Sequence, residues 1–264
     1  MKKAIVIGAT SGLGREIAMN LVREGWAVGI AGRRVELLEE LANEMNTIIR
    51  SVSVGPLKEE DNMSGRGEVV YERIDVTTED AVNGVERLVE KLRGVDLFVN
   101  VAGVGFQNPT LDPKVEKHTF DVNGYGFMRM VDWVYNYFKK EKREGHIAII
   151  SSIAGTKPLG TAVAYSATKR MQSHYLTGLA QLARMEGLKI RFTDIRPGFA
   201  ATDILNPNKH YPMMMKKEYA GRLATRAILK KRRVAVIDWK FAVLTFFWAL
   251  IPIWMWERLT FVKN

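Results

Sequence analysis

Short runs rich in β-branched residues recur along this chain, with longer amphipathic stretches between most of them: KAIVIG, WAVGIAG, EVVYERID, VDLFVNVAG, HIAIISS, LKIRFTDI and RVAVI. That alternation is the pattern of repeated βαβ units, and it predicts an α/β fold built on a mostly parallel sheet of about seven strands with helices on both faces. Because parallel crossovers are right-handed, such a sheet is doubly wound, and its ligands bind outside the carboxyl ends of the strands where the winding reverses. The 264 residues suffice for one large core and would cramp two. Residues 1–237 are expected to form one domain, followed by an apolar tail at 238–264. The polar stretch Ser51 to Gly67 reads as a surface excursion before the third strand.

Composition removes several classes of function. There is no cysteine, and the four histidines, at 118, 146, 174 and 210, lack ligand spacing, so neither a disulfide framework nor a metal site is expected. The net charge of +10 suits a nucleic acid, an anionic membrane or a phosphorylated cofactor. Part of that excess is the cluster Arg226, Lys230, Lys231, Arg232, Arg233 and Lys240, which has no nucleic-acid-binding signature beside it; no nucleic-acid partner is expected. The start, MKKAIVIGATSGLG, has an apolar run too short for a signal peptide and reads as a first strand, which implies a cytoplasmic protein.

Three stretches carry chemistry. In GATSGLGR, Gly8 permits a tight turn, Gly12 lets backbone amides approach a pyrophosphate, and Gly14 brings a helix start close to the strand, where its dipole favours an anion. The second strand ends in Arg33 and Arg34, where an enzyme choosing the unphosphorylated dinucleotide usually places an acid. Two guanidinium groups there favour the 2′-phosphate of NADP(H). In AYSATKR, Tyr165 and Lys169 are four residues apart, so a helix stacks them on one face. An ammonium ~4 Å from the phenol at an effective dielectric of ~20 contributes roughly 4 kcal/mol, enough to bring the tyrosine towards working pH.

In order along Lys2 to Ile237 come GATSGLG, Asp75-Val76, VNVAG, Asn123, ISSIAG, YSATK and RPGFAAT, and this series resembles the short-chain dehydrogenase/reductase family. The resemblance implies Tyr165 as general acid/base, Lys169 as its electrostatic partner and a ribose ligand, Ser152 as the hydroxyl that holds the substrate oxygen, and Asn123 as the anchor of a proton-relay water. It implies cofactor contacts from Gly8, Thr10, Ser11, Gly12, Leu13 and Gly14 in the first turn. Further contacts are implied from Arg33, Arg34, Asp75, Val76, Asn100, Ala102 and Gly103, and from Pro197, Gly198 and Thr202 at a turn against the nicotinamide. Two positions depart from the usual pattern: Val101 replaces an asparagine, and Ser11 replaces a basic residue found in many NADP users.

Beyond that turn, Met213, Met214 and Met215 are pliable apolar side chains that suit either a cover over a lipophilic ligand or packing on the core. The tail Phe241 to Trp256 has sixteen residues without a charge and contains Pro252; it falls short of a comfortable span. It suits packing in a homo-oligomer or on the domain, or peripheral contact with an anionic membrane beside the basic cluster. The expected function is NADP(H)-dependent interconversion of a small-molecule carbonyl and alcohol. An epimerase or dehydratase using the same tyrosine, and a dinucleotide-binding regulatory or scaffold protein, remain alternatives.

Overall fold

A computed structural model describes residues 1–52, 68–205 and 211–260. The chain runs β1 (Lys3–Ile7), α1 (Gly12–Arg23), β2 (Ala27–Gly32), α2 (Val35–Val52), β3 (Val69–Arg73), α3 (Ala81–Leu92) and β4 (Leu97–Asn100). Then follow α4 (Pro113–Phe120), a π-helical turn (Asp121–Gly126), α5 (Phe127–Lys140), β5 (Gly145–Ile150), a 3-10 turn (Ile153–Gly155), α6 (Val163–Met185) and β6 (Ile190–Pro197). The chain continues through α7 (Lys217–Leu229), β7 (Val234–Ile237), α8 (Trp239–Leu250) and α9 (Ile253–Trp256). All seven strands pair parallel in the order β3-β2-β1-β4-β5-β6-β7. The winding reverses between β1 and β4, so a crevice opens past Ile7 and Asn100. Most of the Ser51–Gly67 excursion lies outside the described residues.

Strand periodicity decides which helix covers which face. Ile5, Ile7, Phe98, Ile147 and Ile149 point to one side and pack with α3, α5 and α6 through Leu88, Phe127, Val131 and Leu176. Ala4, Val6, Val99, Ala148 and Ile195 point to the other, against α1, α2 and α7 through Ile17, Leu21, Leu38 and Ile228. The central strands β1, β4 and β5 are therefore apolar on both faces, as a sheet covered on two sides requires.

The tail is built onto the domain. Phe241 is fully buried in a cluster with Ala200, Met215 and Ala220, and Trp256 packs against Leu159 and Ala162 while its indole Nε1 donates to the Pro158 carbonyl at 2.8 Å. These contacts lie at the carboxyl edge of the sheet. The basic cluster Lys230 to Arg233 precedes β7, at the amino edge, so sequence adjacency does not put it beside the tail. No described helix is long and apolar enough to cross a membrane.

Helix α1 begins in tight contact with the turn before it. Gly8 has φ +86°, and a methyl group on Gly14 would overlap the Gly8 carbonyl oxygen. In an open helix, Gly→Ala is favourable by about 1 kcal/mol. Gly14→Ala is expected to have the opposite sign, costing about 1–3 kcal/mol through overpacking. In a chain of this size each kcal/mol lowers Tm by roughly 2–4 °C; a thermal melt of the variant checks it, and a raised Tm would contradict the close approach.

Candidate active site

The first turn forms one end of a cleft at the winding reversal. Gly8 and Gly12 both have positive φ, and the amides of Gly8 and Ala9 are tied to the Ala31 carbonyl. Ser11 stands at the N-cap of α1, yet its hydroxyl does not cap the helix; it meets Arg34 Nη2 at 3.2 Å, and Thr10 Oγ1 accepts from the same nitrogen at 3.0 Å. The amides opening α1 are thus left facing the cleft, an arrangement that favours an anion. Gly12, Leu13, Arg33, Asp75, Val76, Ala102 and Gly103 line the same cleft. Burial alone would push the Asp75 carboxyl up, but the Thr77 hydroxyl and amide, at 2.7 and 3.0 Å, together with Arg33 and Arg73 hold it below the usual carboxylate range.

A dinucleotide fits these residues. The glycines leave a cradle that any side chain would fill, since a Cβ on Gly8 would come within 2.7 Å of the Ala102 amide and one on Gly103 within 3.3 Å of Lys169 Nζ. Cationic Arg33 and Arg34 are exposed at one end, and titratable Tyr165 and Lys169 stand at the other. Asn100 and Asn123 sit behind this wall, not in it. Asn100 is buried at the end of β4, and its Oδ1 has no hydrogen-bond partner. Val101 supports the sheet through its amide, which donates to Ile7, and its side chain packs on the core.

Ser152, Tyr165 and Lys169 converge where β5 meets α6. Ser152 follows β5; its Oγ accepts from the Ala154 amide at 3.1 Å and its hydroxyl also bonds the Tyr165 phenol. Ser151 alternates to the other side, bonding the fully buried carboxylate of Asp194. Lys169 is 4 % exposed, and its Nζ donates to the Ile150 carbonyl at 2.9 Å and to Gln172 Oε1 at 3.1 Å. Burial lowers the Lys169 ammonium to about 8, against an opposing pull from Asp194.

The phenol corrects the simple two-group expectation. Lys169 Nζ lies 5.8 Å from the centre of the Tyr165 ring, bound to other acceptors, and burial raises the Tyr165 pKa above its ordinary value despite the Ser152 hydrogen bond. Desolvation outweighs the Ser152 hydrogen bond, because a phenolate needs solvation that this wall does not give.

The Asn123 side chain clamps the backbone after β4, accepting from the Val104 amide at 2.8 Å and donating to the Val104 carbonyl at 2.7 Å. Its own carbonyl accepts from Gln172 Nε2 at 2.8 Å. The Gln172 side-chain amide thus joins the Asn123 carbonyl to Lys169. The π-helical turn holding Asn123 displaces the local ladder, as such turns do at functional sites. Gln172, buried and one helical turn beyond Lys169, was not anticipated from sequence; its i, i+3 spacing from Lys169 was the available signal.

A second, apolar pocket opens beyond Tyr165. Ser152 and Tyr165 border both spaces, and Phe106, Leu159, Phe199, Ile204, Leu205, Tyr211 and Trp248 line the second. Of the three methionines, Met215 takes the core-packing alternative, buried in the cluster with Phe241, while Met213 and Met214 are exposed and absent from this lining. Pro197, Gly198 and Thr202 border the nucleotide cleft, but the ring that Gly198 admits is that of Phe241, which a Cβ would overlap. Trp248 and Phe241 bring the tail into the site, a role the tail's apolar composition alone did not reveal.

Comparison with known proteins agrees with this geometry. The family model described as short chain dehydrogenase matches residues 2–211. An uncharacterized oxidoreductase of Myxococcus xanthus (strain DK1622) is 30 % identical over 255 residues, covering 95 % of this chain and 93 % of that protein. A farnesol dehydrogenase of Aedes aegypti is 30 % identical over 214 residues, covering 77 % of this chain and 79 % of that one. The alcohol dehydrogenase of Thermococcus sibiricus, solved with 5-hydroxy-NADP, superposes with a TM-score of 0.72 at 24 % identity over 90 % of this chain and 95 % of its own, a likeness of fold. The cleft at the winding reversal, the serine, tyrosine and lysine at its end, and these matches together place the chain in the short-chain dehydrogenase/reductase family, oxidoreductases that use a nicotinamide dinucleotide.

Proposed function

We propose that this oxidoreductase uses NADP(H) to interconvert a carbonyl and an alcohol on a lipophilic small molecule, with Tyr165 as general acid/base. The observation that carries the reading is that Ser152 and Tyr165 stand on the boundary between the dinucleotide cleft and the apolar pocket. When bound, the nicotinamide supplies or accepts a hydride. Ser152 donates a hydrogen bond to the substrate oxygen, and Tyr165 gives its proton to that oxygen in reduction or takes one in oxidation. Lys169, positioned by Ile150 and Gln172, stabilises the phenolate that reduction leaves behind. The apolar lining favours a lipophilic substrate, and a relative named farnesol dehydrogenase is in keeping with it.

The phosphorylated cofactor is favoured by Arg33 and Arg34, the second held over the glycine turn by Thr10 and Ser11. The bound 5-hydroxy-NADP of the Thermococcus sibiricus protein is in line with this reading. Fluorescence titration is expected to show tighter binding of NADPH than NADH. Arg34→Ala should weaken NADPH by roughly tenfold or more, the worth of one charge-assisted hydrogen bond, and leave NADH nearly unchanged. Equal binding of both dinucleotides by the natural protein would remove the assignment.

Because burial holds Tyr165 protonated through neutral pH, reduction is expected to keep its rate across that range, while oxidation, which needs the phenolate, climbs as pH rises. Tyr165→Phe should lower kcat by about 10²–10⁴-fold in both directions without loss of dinucleotide binding; full turnover by the variant would defeat the mechanism.

Gln172→Leu removes an acceptor from Lys169 and a donor from the Asn123 carbonyl. Losing the acceptor favours the neutral amine, so the Lys169 pKa should fall below its present value of about 8. The pH profile of kcat is expected to shift in the acid direction, with a lower maximum. A variant with a reduced Tm and an unmoved profile would make Gln172 a structural residue only.

A further inference from the structure

Helix α8 is apolar on both sides, and only one side is used by the domain. Phe241, Leu244, Thr245 and Trp248 turn inward. Trp239, Val243, Phe246, Phe247 and Leu250, spaced i, i+4, i+7, i+8 and i+11, form a single stripe on the other side, each between 49 and 67 % exposed. Past Pro252 the stripe continues on α9 with Ile253, Trp254 and Met255. A contiguous aromatic and aliphatic surface of this kind marks a binding face. We propose that this stripe seats the protein on the surface of an anionic lipid bilayer, with α8 lying in the plane of the interface.

The geometry favours lipid over a second copy of the chain. At twelve residues α8 is too short to cross a bilayer, but a helix of that length lies well within the headgroup layer. Tryptophans mark both ends, the position such rings prefer at a membrane boundary. Each has a cation beside it: Lys240 follows Trp239, and the Arg258 guanidinium sits 5.3 Å from the Trp254 ring centre. Between Asp238 and Glu257 there is no acidic residue, and Asp238 is buried, capping α8 through the Lys240 amide. A standard protein interface takes roughly 20–30 residues a side, far more than the eight large side chains here, and the cations beside the stripe, Lys240 and Arg258, are drawn to an anionic surface. Trp248 on the inner face lines the apolar pocket while Phe247, its neighbour, faces out, so one helix forms the wall between that pocket and the proposed bilayer.

Vesicle binding is read without dinucleotide or substrate, so its outcome is separate from that of the proposed redox reaction. The full chain is mixed with vesicles of phosphatidylcholine, or of phosphatidylcholine with about one third phosphatidylglycerol, and sedimented. Binding to the anionic vesicles is expected, weakening as salt is raised, with quenching of tryptophan fluorescence by brominated lipid. The double variant Phe246→Asp, Leu250→Asp alters exposed positions only and should lower the partition by roughly tenfold or more while keeping the melting temperature. A natural protein that stays in the supernatant with both vesicles, or a double variant that binds as well, overturns the proposal. So does light scattering that shows a dimer, dissociated by the same substitutions, in a chain that ignores vesicles.

Discussion

The ammonium of Lys169 is buried in the middle of the chain, and the elements around the site are arranged to keep it there. Its acceptors come from the end of β5, through the Ile150 carbonyl, and from its own helix, through Gln172. Gln172 in turn ties α6 to the π-helical turn by donating to the Asn123 carbonyl, and Asn123 ties that turn to the segment after β4. Asp194 on β6 supplies the opposing charge and is itself held by Ser151 and Arg196. With two neutral acceptors and a more distant carboxylate, the ammonium falls to about 8 from an ordinary 10.5. Between those two values the unfolded chain binds more protons than the folded one, so the stability contributed at this site rises with pH there. Below about 8 the fold carries the full cost, on the order of 3 kcal/mol. In the proposed reaction that cost is offset by the charge Lys169 offers to the phenolate that reduction leaves on Tyr165.

Local pattern made most of the scaffold legible. The strands stand where the β-branched runs are, and Gly8, Gly12 and Gly14 do what a strand-to-helix turn around a phosphate needs, because both depend on residues close in sequence. The i, i+4 spacing of Tyr165 and Lys169 places them on one face whatever the tertiary structure. What was not legible depends on partners distant in sequence. The direction of the Tyr165 shift needed the burial of the phenol and the distance of Lys169, and pair spacing provides neither. The ring against Gly198 belongs to Phe241, which arrives 43 residues later as the tail folds back. Gln172 could be placed beside Lys169 by spacing, but its second bond reaches Asn123, 49 residues away.

The tail joins these two kinds of information. Its lack of charge signalled that some surface must cover it, and the domain covers only one side. Phe241 wedges against Gly198, Trp248 walls the apolar pocket, and Trp256 is fixed to the Pro158 carbonyl, so the inner side is committed to shaping the site. A helix needed only for that purpose would carry polar residues outward, as α5 does with Asn136, Lys139 and Lys140. On α8 the outward positions are instead Val243, Phe246, Phe247 and Leu250. Water gives no reason for those residue types there, whereas an apolar phase outside the helix would. If that phase is a bilayer, the same twelve residues meet lipid on one side and a lipophilic substrate on the other. A change of shape in the pocket wall would then be coupled to how deeply α8 sits.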